Sequence, residues 1–205
     1  MSRAARPFFA SSAPARQSVS PEGLYEQAMR LQREGKLEAA LGAYSEVILN
    51  DPSFAEAYYG RAGVYYSLGS CDQAINDCNR AIELRWHFIQ AHLLRGAAYW
   101  GKAFSCEADD PLLPGYCEQV VSDCTLVLDS QPRAGMAYFN RGLAYWALGN
   151  KAKAKHDLEN AVVLSNNSTW RAEAEYWLEE LRKPRLLARY EGDSWHHLCG
   201  KRTRE

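Results

Sequence analysis

A chain of 205 residues, 47% hydrophobic and 24% charged, holds enough apolar material for one sizeable core, which excludes disorder of the whole chain. Its formal net charge of −1 hides a division: 1–20 holds three arginines and no acid, 182–205 holds seven basic against three acidic residues, and 21–181 is left with 14 basic and 22 acidic. No apolar run nears the ~18 residues of a membrane span, and six cysteines in a chain of this length make no dense disulfide framework, so no membrane span and a reducing compartment are expected.

Residues 1–20, with Arg3, Arg6 and Arg16 among serines and alanines, read as a basic, solvated segment. The composition is that of an organelle transit peptide, whereas Pro7 and Pro14 oppose the amphipathic helix such a peptide needs. Cytoplasmic residence is the expectation, with mitochondrial or other organellar import as the alternative.

From residue 21 the chain repeats itself. Leu24, Ala28, Leu31, Gly35, Ala40 and Val47, followed by Pro52, match Tyr58, Ala62, Tyr65, Gly69, Ala74 and Ala81, and match again Tyr138, Gly142, Tyr145, Gly149, Ala154 and Ala161. A further unit opens with His92, Gly96 and Tyr99 and closes with Val120, Cys124, Val127 and Pro132. Tyr25 to Tyr59 and Tyr59 to Leu93 are each 34 positions, but Leu93 to Phe139 is 46, an insertion of twelve residues placed at about 103–116. Each unit reads as a helix pair: small residues (Ala62, Gly96, Gly142) admit close helix approach, Gly35, Gly69 and Gly149 end first helices, and Pro52 and Pro132 follow second helices. Four pairs fill 21–168. The acidic insertion, with Glu107, Asp109 and Asp110 before Pro114, is expected to be a loop beside the binding face that contributes to partner choice. Thr169 is expected to cap a final helix over 169–182, carrying Trp170, Ala174, Trp177 and Leu181. The basic tail 183–205 carries Leu186, Leu187, Tyr190, Trp195 and Leu198, enough apolar anchors to fold back over the acidic body or to swap into a neighbouring molecule.

This pattern resembles the tetratricopeptide repeat (TPR). The resemblance implies an all-α, right-handed superhelical solenoid of about four helix pairs plus a C-terminal capping helix, with the first helices of successive pairs lining a concave groove. It places Tyr25, Met29, Tyr59, Tyr66, Leu93, Trp100, Phe139, Asn140 and Trp146 on the groove as peptide-binding positions, an aromatic trough; the alternative, above all for Tyr66, Trp100 and Trp146, is that the rings stack on one another as core. In the chaperone-binding members of the family, Lys, Asn and Arg side chains clamp the terminal carboxylate of a heat-shock protein. Here Tyr25, Met29, Gly60, Gln90 and Leu94 stand at those positions, so a heat-shock C-terminus is not the expected partner, and only Asn140, one repeat late, keeps a suitable polar group.

Arg61, Arg95 and Arg141 recur at one position of the first helices and Asp77, Asp123 and Asp157 at one position of the second, which predicts structural ion pairs rather than a nucleic-acid surface. Cys71 and Cys78 recur as Cys117 and Cys124; seven residues apart on a helix, each pair spans about 10 Å, too far for an intrahelical disulfide, and they are expected to be small buried hydrophobes. His196, His197 and Cys199 lack a second ligand pair, so no metal is expected. Asn166 and Asn167 open glycosylation sequons, which are discounted without a secretory signal. No phosphate loop, GxSxG elbow or HExxH motif is present, so neither an enzyme nor a cofactor is expected. Two function classes remain: an adaptor that binds a hydrophobic or amphipathic peptide segment in its groove, and a structural subunit of a larger assembly anchored through its basic tails.

Overall fold

The computed structural model describes residues 20–107, 109–165 and 168–182, so the basic N-terminal segment, the two sequons' asparagines and the C-terminal tail with its His-His-x-Cys cluster lie outside the described residues. Among the described residues there are nine α-helices and no strand: α1 (Pro21–Arg33), α2 (Leu37–Asn50), α3 (Ala55–Ser67), α4 (Cys71–Leu84), α5 (Ile89–Ser105), α6 (Leu113–Ser130), α7 (Gly135–Ala147), α8 (Lys151–Leu164) and α9 (Ser168–Glu180). Each helix packs on its neighbours in sequence, and the odd-numbered ones also meet one another (α1 with α3, α3 with α5, α5 with α7). That second set of contacts puts the odd helices on the inner side of a curved solenoid.

The helix boundaries follow from single residues. Ser20 accepts a hydrogen bond from the Gly23 amide at 3.2 Å, and Pro21 stands at the first helical position, where its missing N–H costs nothing. Gly35, Gly69 and Gly149 have φ of 73°, 76° and 79°. At each, the amide of the following residue reaches back to a carbonyl of the last turn: Lys36 to Leu31 at 2.9 Å, Ser70 to Tyr65 at 2.9 Å and Asn150 to Tyr145 at 2.8 Å. These are left-handed glycine stops that close three of the four first helices.

The third pair has Ala103 where the others have this glycine, and its first helix runs on. Helix α5 has 17 residues where α1, α3 and α7 have 13. Helix α6 has 18 where α2, α4 and α8 have 14, starting a turn early with Pro114 in its first turn. The connection lengthens from three residues to the seven of 106–112. The insertion is therefore mostly helix rather than the loop expected over 103–116, because without a left-handed residue nothing stops α5. At the C-terminal end, α9 begins at Ser168, one residue before the expected start.

Between pairs, the recurring ionic residues form a ladder. Arg61 of α3 donates through Nε and Nη2 to both Asp77 oxygens on α4 (2.7 and 2.8 Å) and through Nη1 to Ser45 on the preceding α2 (2.9 Å). Arg95 grips Asp123 at 2.9 and 2.6 Å and reaches Asn79 of α4 at 2.7 Å. Arg141 grips Asp157 at 2.7 and 3.0 Å and reaches Thr125 of α6 at 3.1 Å. Each guanidinium thus ties its own pair together and fastens it to the pair before. The two-pronged geometry is that of the strongest arginine–carboxylate pairs, and the anticipated structural role of these residues holds. In the first pair Gln27 and Ala43 occupy the two positions, so the ladder begins at α2.

Close packing completes the stack. Tyr44 of α2 lies against Gly60 of α3, where a Cβ would fall 2.5 Å from its ring, and its hydroxyl donates to Gln32 Oε1 at 2.7 Å. Gly142 faces Leu158 with 3.0 Å available to a Cβ. Cys78, Cys117 and Cys124 are fully buried; burial pushes Cys78 up to about 12 and Cys117 up to about 11, and raises Cys124 further. These thiols are core groups, held neutral by their surroundings.

Candidate functional site: the inner face of the odd-numbered helices

Among the described residues the inner face carries three connected hollows that form a trough. The first, about 470 Å³, lies between pairs one and two and is lined by Tyr25, Met29, Gln32, Arg33, Tyr44, Tyr59, Gly60 and Gly63. Tyr59 is shared with the central hollow, about 260 Å³, where Tyr66, Gln90, Leu93, Leu94, Ala97, Trp100, Met136, Phe139, Asn140 and Trp170 complete the lining. Met136, Phe139 and Trp170 then continue into a third hollow of about 310 Å³ between α7, α8 and α9. The sharing follows from the 34-residue register, since the repeat sets the same position of each odd helix at the same height on the inner wall.

Eight of the nine residues singled out in the sequence line this trough: Tyr25 and Met29 the first hollow, Tyr59 both the first and the central, and Tyr66, Leu93, Trp100, Phe139 and Asn140 the central one. Trp146, half-buried, is not among the residues lining these described hollows, and it packs at 4.8 Å against the ring of Trp177 on α9. Nor do all eight offer open surface. Trp100 and Phe139 are each only 3% exposed; Trp100 packs on Phe104 (6.4 Å) and Phe139 meets Trp170 edge to face (5.6 Å). They form the rigid floor, while Tyr25, Met29, Tyr59, Tyr66 and Leu93 are half-buried and keep surface for a ligand. Tyr59 itself rests on Phe88 at 5.0 Å, and burial raises its hydroxyl above the ordinary tyrosine range.

The sequence reading placed Trp170 in the capping helix but not in the trough and did not name Met136, whereas Gln90 and Leu94, read there as occupying clamp positions, do line the wall. Register gave the signal for Met136, because Glu22, Glu56, Gln90 and Met136 occupy one position of successive odd helices.

Electrostatically the trough is quiet. No charged residue lines the central hollow among the described residues, and Arg33 alone lines the first. A cluster of cations that could clamp a carboxylate is not assembled among them. Tyr44 fills the space over Gly60, so the asparagine that a clamp requires there has no room. Asn140 is 5% exposed, lines the central hollow, and its Nδ2 has no hydrogen-bond partner among the described residues. Among the described residues no three His, Cys, Asp or Glu side chains are grouped to hold a metal ion, and no helix is long and apolar enough to cross a membrane.

The insertion lies elsewhere. The extra turns of α5 and α6 border a separate hollow of about 470 Å³ over the turn of the preceding pair, lined by Gly69, Cys71, Lys102, Cys106, Asp110 and Tyr116 among others. Lys102 pairs with Asp72 and lies 4.8 Å over the Tyr116 ring. None of the described residues in 103–116 lines the trough, so the expectation that this segment stands beside the groove is not met.

Comparison with known proteins agrees with the repeat fold. Residues 25–87 match one tetratricopeptide-repeat family model and residues 135–168 another. Human sperm-associated antigen 1 is 37% identical over 98 residues, covering 42% of this chain and 11% of that protein. The tetratricopeptide repeat and J domain-containing co-chaperone DNJ1 of Cryptococcus neoformans is 38% identical over 72 residues, covering 35% and 14%. Rat DnaJ homolog subfamily C member 3 is 34% identical over 85 residues, covering 42% and 17%. The match thus spans less than a fifth of each of these relatives. Among solved structures, a thermophilic TPR protein of Thermus thermophilus superposes with a TM-score of 0.64 at 24% identity, covering 79% of this chain and 81% of that one. Residues 41 to the end of MamA from Desulfovibrio magneticus RS-1 superpose with a TM-score of 0.63 at 18% identity, covering 78% and 94%. At these identities the two structures show a shared fold.

Proposed function

Because the chain belongs to the tetratricopeptide-repeat family, whose solenoids serve as protein-interaction modules, we propose that its trough captures an apolar, uncharged stretch of another polypeptide. The observation that carries this reading is the Nδ2 of Asn140, buried without a partner among the described residues in a hollow walled, apart from Gln90, by aromatic and aliphatic side chains. A buried donor left unmade costs about 1–3 kcal/mol, and a peptide carbonyl laid along the trough would satisfy it. A free carboxylate is the poorer fit, since no lysine or arginine lines the central hollow to neutralise it.

The half-buried rings of Tyr59 and Tyr66 and the side chain of Leu93 supply contact area on a floor already fixed by Trp100, Phe139 and Trp170. Rigid aromatic walls lose little entropy on binding, which is why such residues dominate interface energetics. A co-chaperone stands among the relatives, and non-native chains expose the kind of segment this trough fits.

The test uses reduced, carboxymethylated α-lactalbumin, a permanently unfolded chain, as the probe. The full chain is expected to bind it, and Leu93→Asp, which sets a charge on the uncharged wall, to weaken binding by about tenfold or more with the helical signal intact. Equal binding by both proteins would remove the trough from the interaction.

A further inference from the structure

The trough needs an occupant or must remain an exposed apolar surface, and the chain carries a segment suited to it. We infer that, when no partner is bound, the trough is occupied by the chain's own residues 183–205, which makes the tail an intramolecular competitor at the proposed peptide site. This rests on the reading of the trough as a peptide receptor and adds its regulation.

The first argument is position. Helix α9 begins where Trp170 meets Phe139 in the trough and ends past Trp177, which packs on Trp146 near the other end of α7. The chain therefore leaves the solenoid at Arg182 alongside the innermost helix of the last pair. The second is reach. The floor from α9 to α1 crosses four helix spacings of 8–10 Å, about 40 Å, while 23 residues extend to about 75 Å or, as helix, to about 35 Å. The third is chemistry. Leu186, Leu187, Tyr190, Trp195 and Leu198 match a central hollow with no charged wall residue. The fourth is charge. Residues 183–205 hold six basic against three acidic residues, facing a body over 21–181 with 22 acidic against 14 basic. Exposed Glu22 and Glu26 of α1 stand at the end of the trough farthest from α9. A tethered segment acts at an effective concentration in the millimolar range, so weak contacts suffice to compete with a free partner.

The test places a photo-crosslinker in the full chain by the substitution Tyr190→p-benzoylphenylalanine and maps the products formed at low protein concentration. Intramolecular links to Leu93, Met136 or Tyr59 are expected. Links only to the outer faces of α4, α6 and α8, links only between two molecules, or no links would each overturn the inference. A second measurement separates it from the reading it rests on. The full chain carrying Leu186→Asp, Leu187→Asp and Tyr190→Asp is expected to bind reduced, carboxymethylated α-lactalbumin about tenfold more tightly than the unaltered chain. If that affinity is unchanged while Leu93→Asp still weakens binding, the trough binds peptides and the tail does not guard it. If Leu93→Asp has no effect, the trough reading fails first.

Discussion

At the scale of single residues, the arginine–aspartate ladder and the Nδ2 of Asn140, unpartnered among the described residues, show two uses of buried polarity. Asp157 has 2% of its side chain exposed and receives two hydrogen bonds from Arg141, whose guanidinium lies between the rings of Tyr138 (5.7 Å) and Tyr145 (6.0 Å). Removing the carboxylate strands a cation in that slot. Asp157→Ala is expected to cost about 3 kcal/mol in urea unfolding of the full chain, whereas Glu159→Ala on the exposed side of the same helix is expected to cost less than about 0.5 kcal/mol. Comparable losses would mean that the ladder does not hold the pairs together. The pairing of these charges is legible in the sequence because both types recur in register. The unmet amide of Asn140 is not, since satisfaction of a donor depends on which acceptors the neighbouring helices bring within hydrogen-bonding reach. Gly60 is legible only as a departure from a clamp; its reason, the ring of Tyr44 pressed against it, appears when α2 and α3 are packed.

At the scale of elements, the glycine stops set where first helices end, and the one pair that lacks a stop has the longer helix. Gly35 and Gly69 stand 34 residues apart and Gly149 stands 80 further on, two repeats plus the twelve-residue insertion, so the stops make the helices of these pairs readable from the sequence. The insertion departs from the expected loop because its acidic and proline residues have two meanings: Pro114 in a first turn favours a helix start, and Ala103 replaces the glycine that would have ended α5. The added turn of α6 can be tested at Gly115, where a Cβ would meet nothing within 4 Å. If the segment is helical, Gly115→Ala is expected to stabilise the protein by about 0.5–1 kcal/mol. The same change at Gly69, with φ of 76°, is expected to destabilise it by about 1 kcal/mol. Thermal unfolding of the two variants beside the parent decides the point; destabilisation by Gly115→Ala would show that the turn is not helical.

At the scale of the whole molecule, a solenoid whose pairs touch only their neighbours makes one continuous inner wall, and its chemistry is the sum of one position per repeat. The all-α repeat architecture is fully present in the sequence periodicity. The division of the wall is not: Trp100 and Phe139 form the floor, Tyr59, Tyr66 and Leu93 keep usable surface, Trp146 belongs to the packing of α9, and Trp170 enters from the capping helix. Periodicity gives the face a residue points to, whereas the depth at which it sits depends on the next helix. The central claim, that this wall receives a peptide whose carbonyl meets Asn140, is tested most directly by Asn140→Leu, read both for stability and for affinity toward reduced, carboxymethylated α-lactalbumin. Unfolding stability equal to or above the parent is expected, because an unmade hydrogen bond is removed from the core, together with about tenfold weaker binding. Lower stability with unchanged binding would contradict the claim, showing that the amide serves the fold and that ligand capture in the trough does not use it.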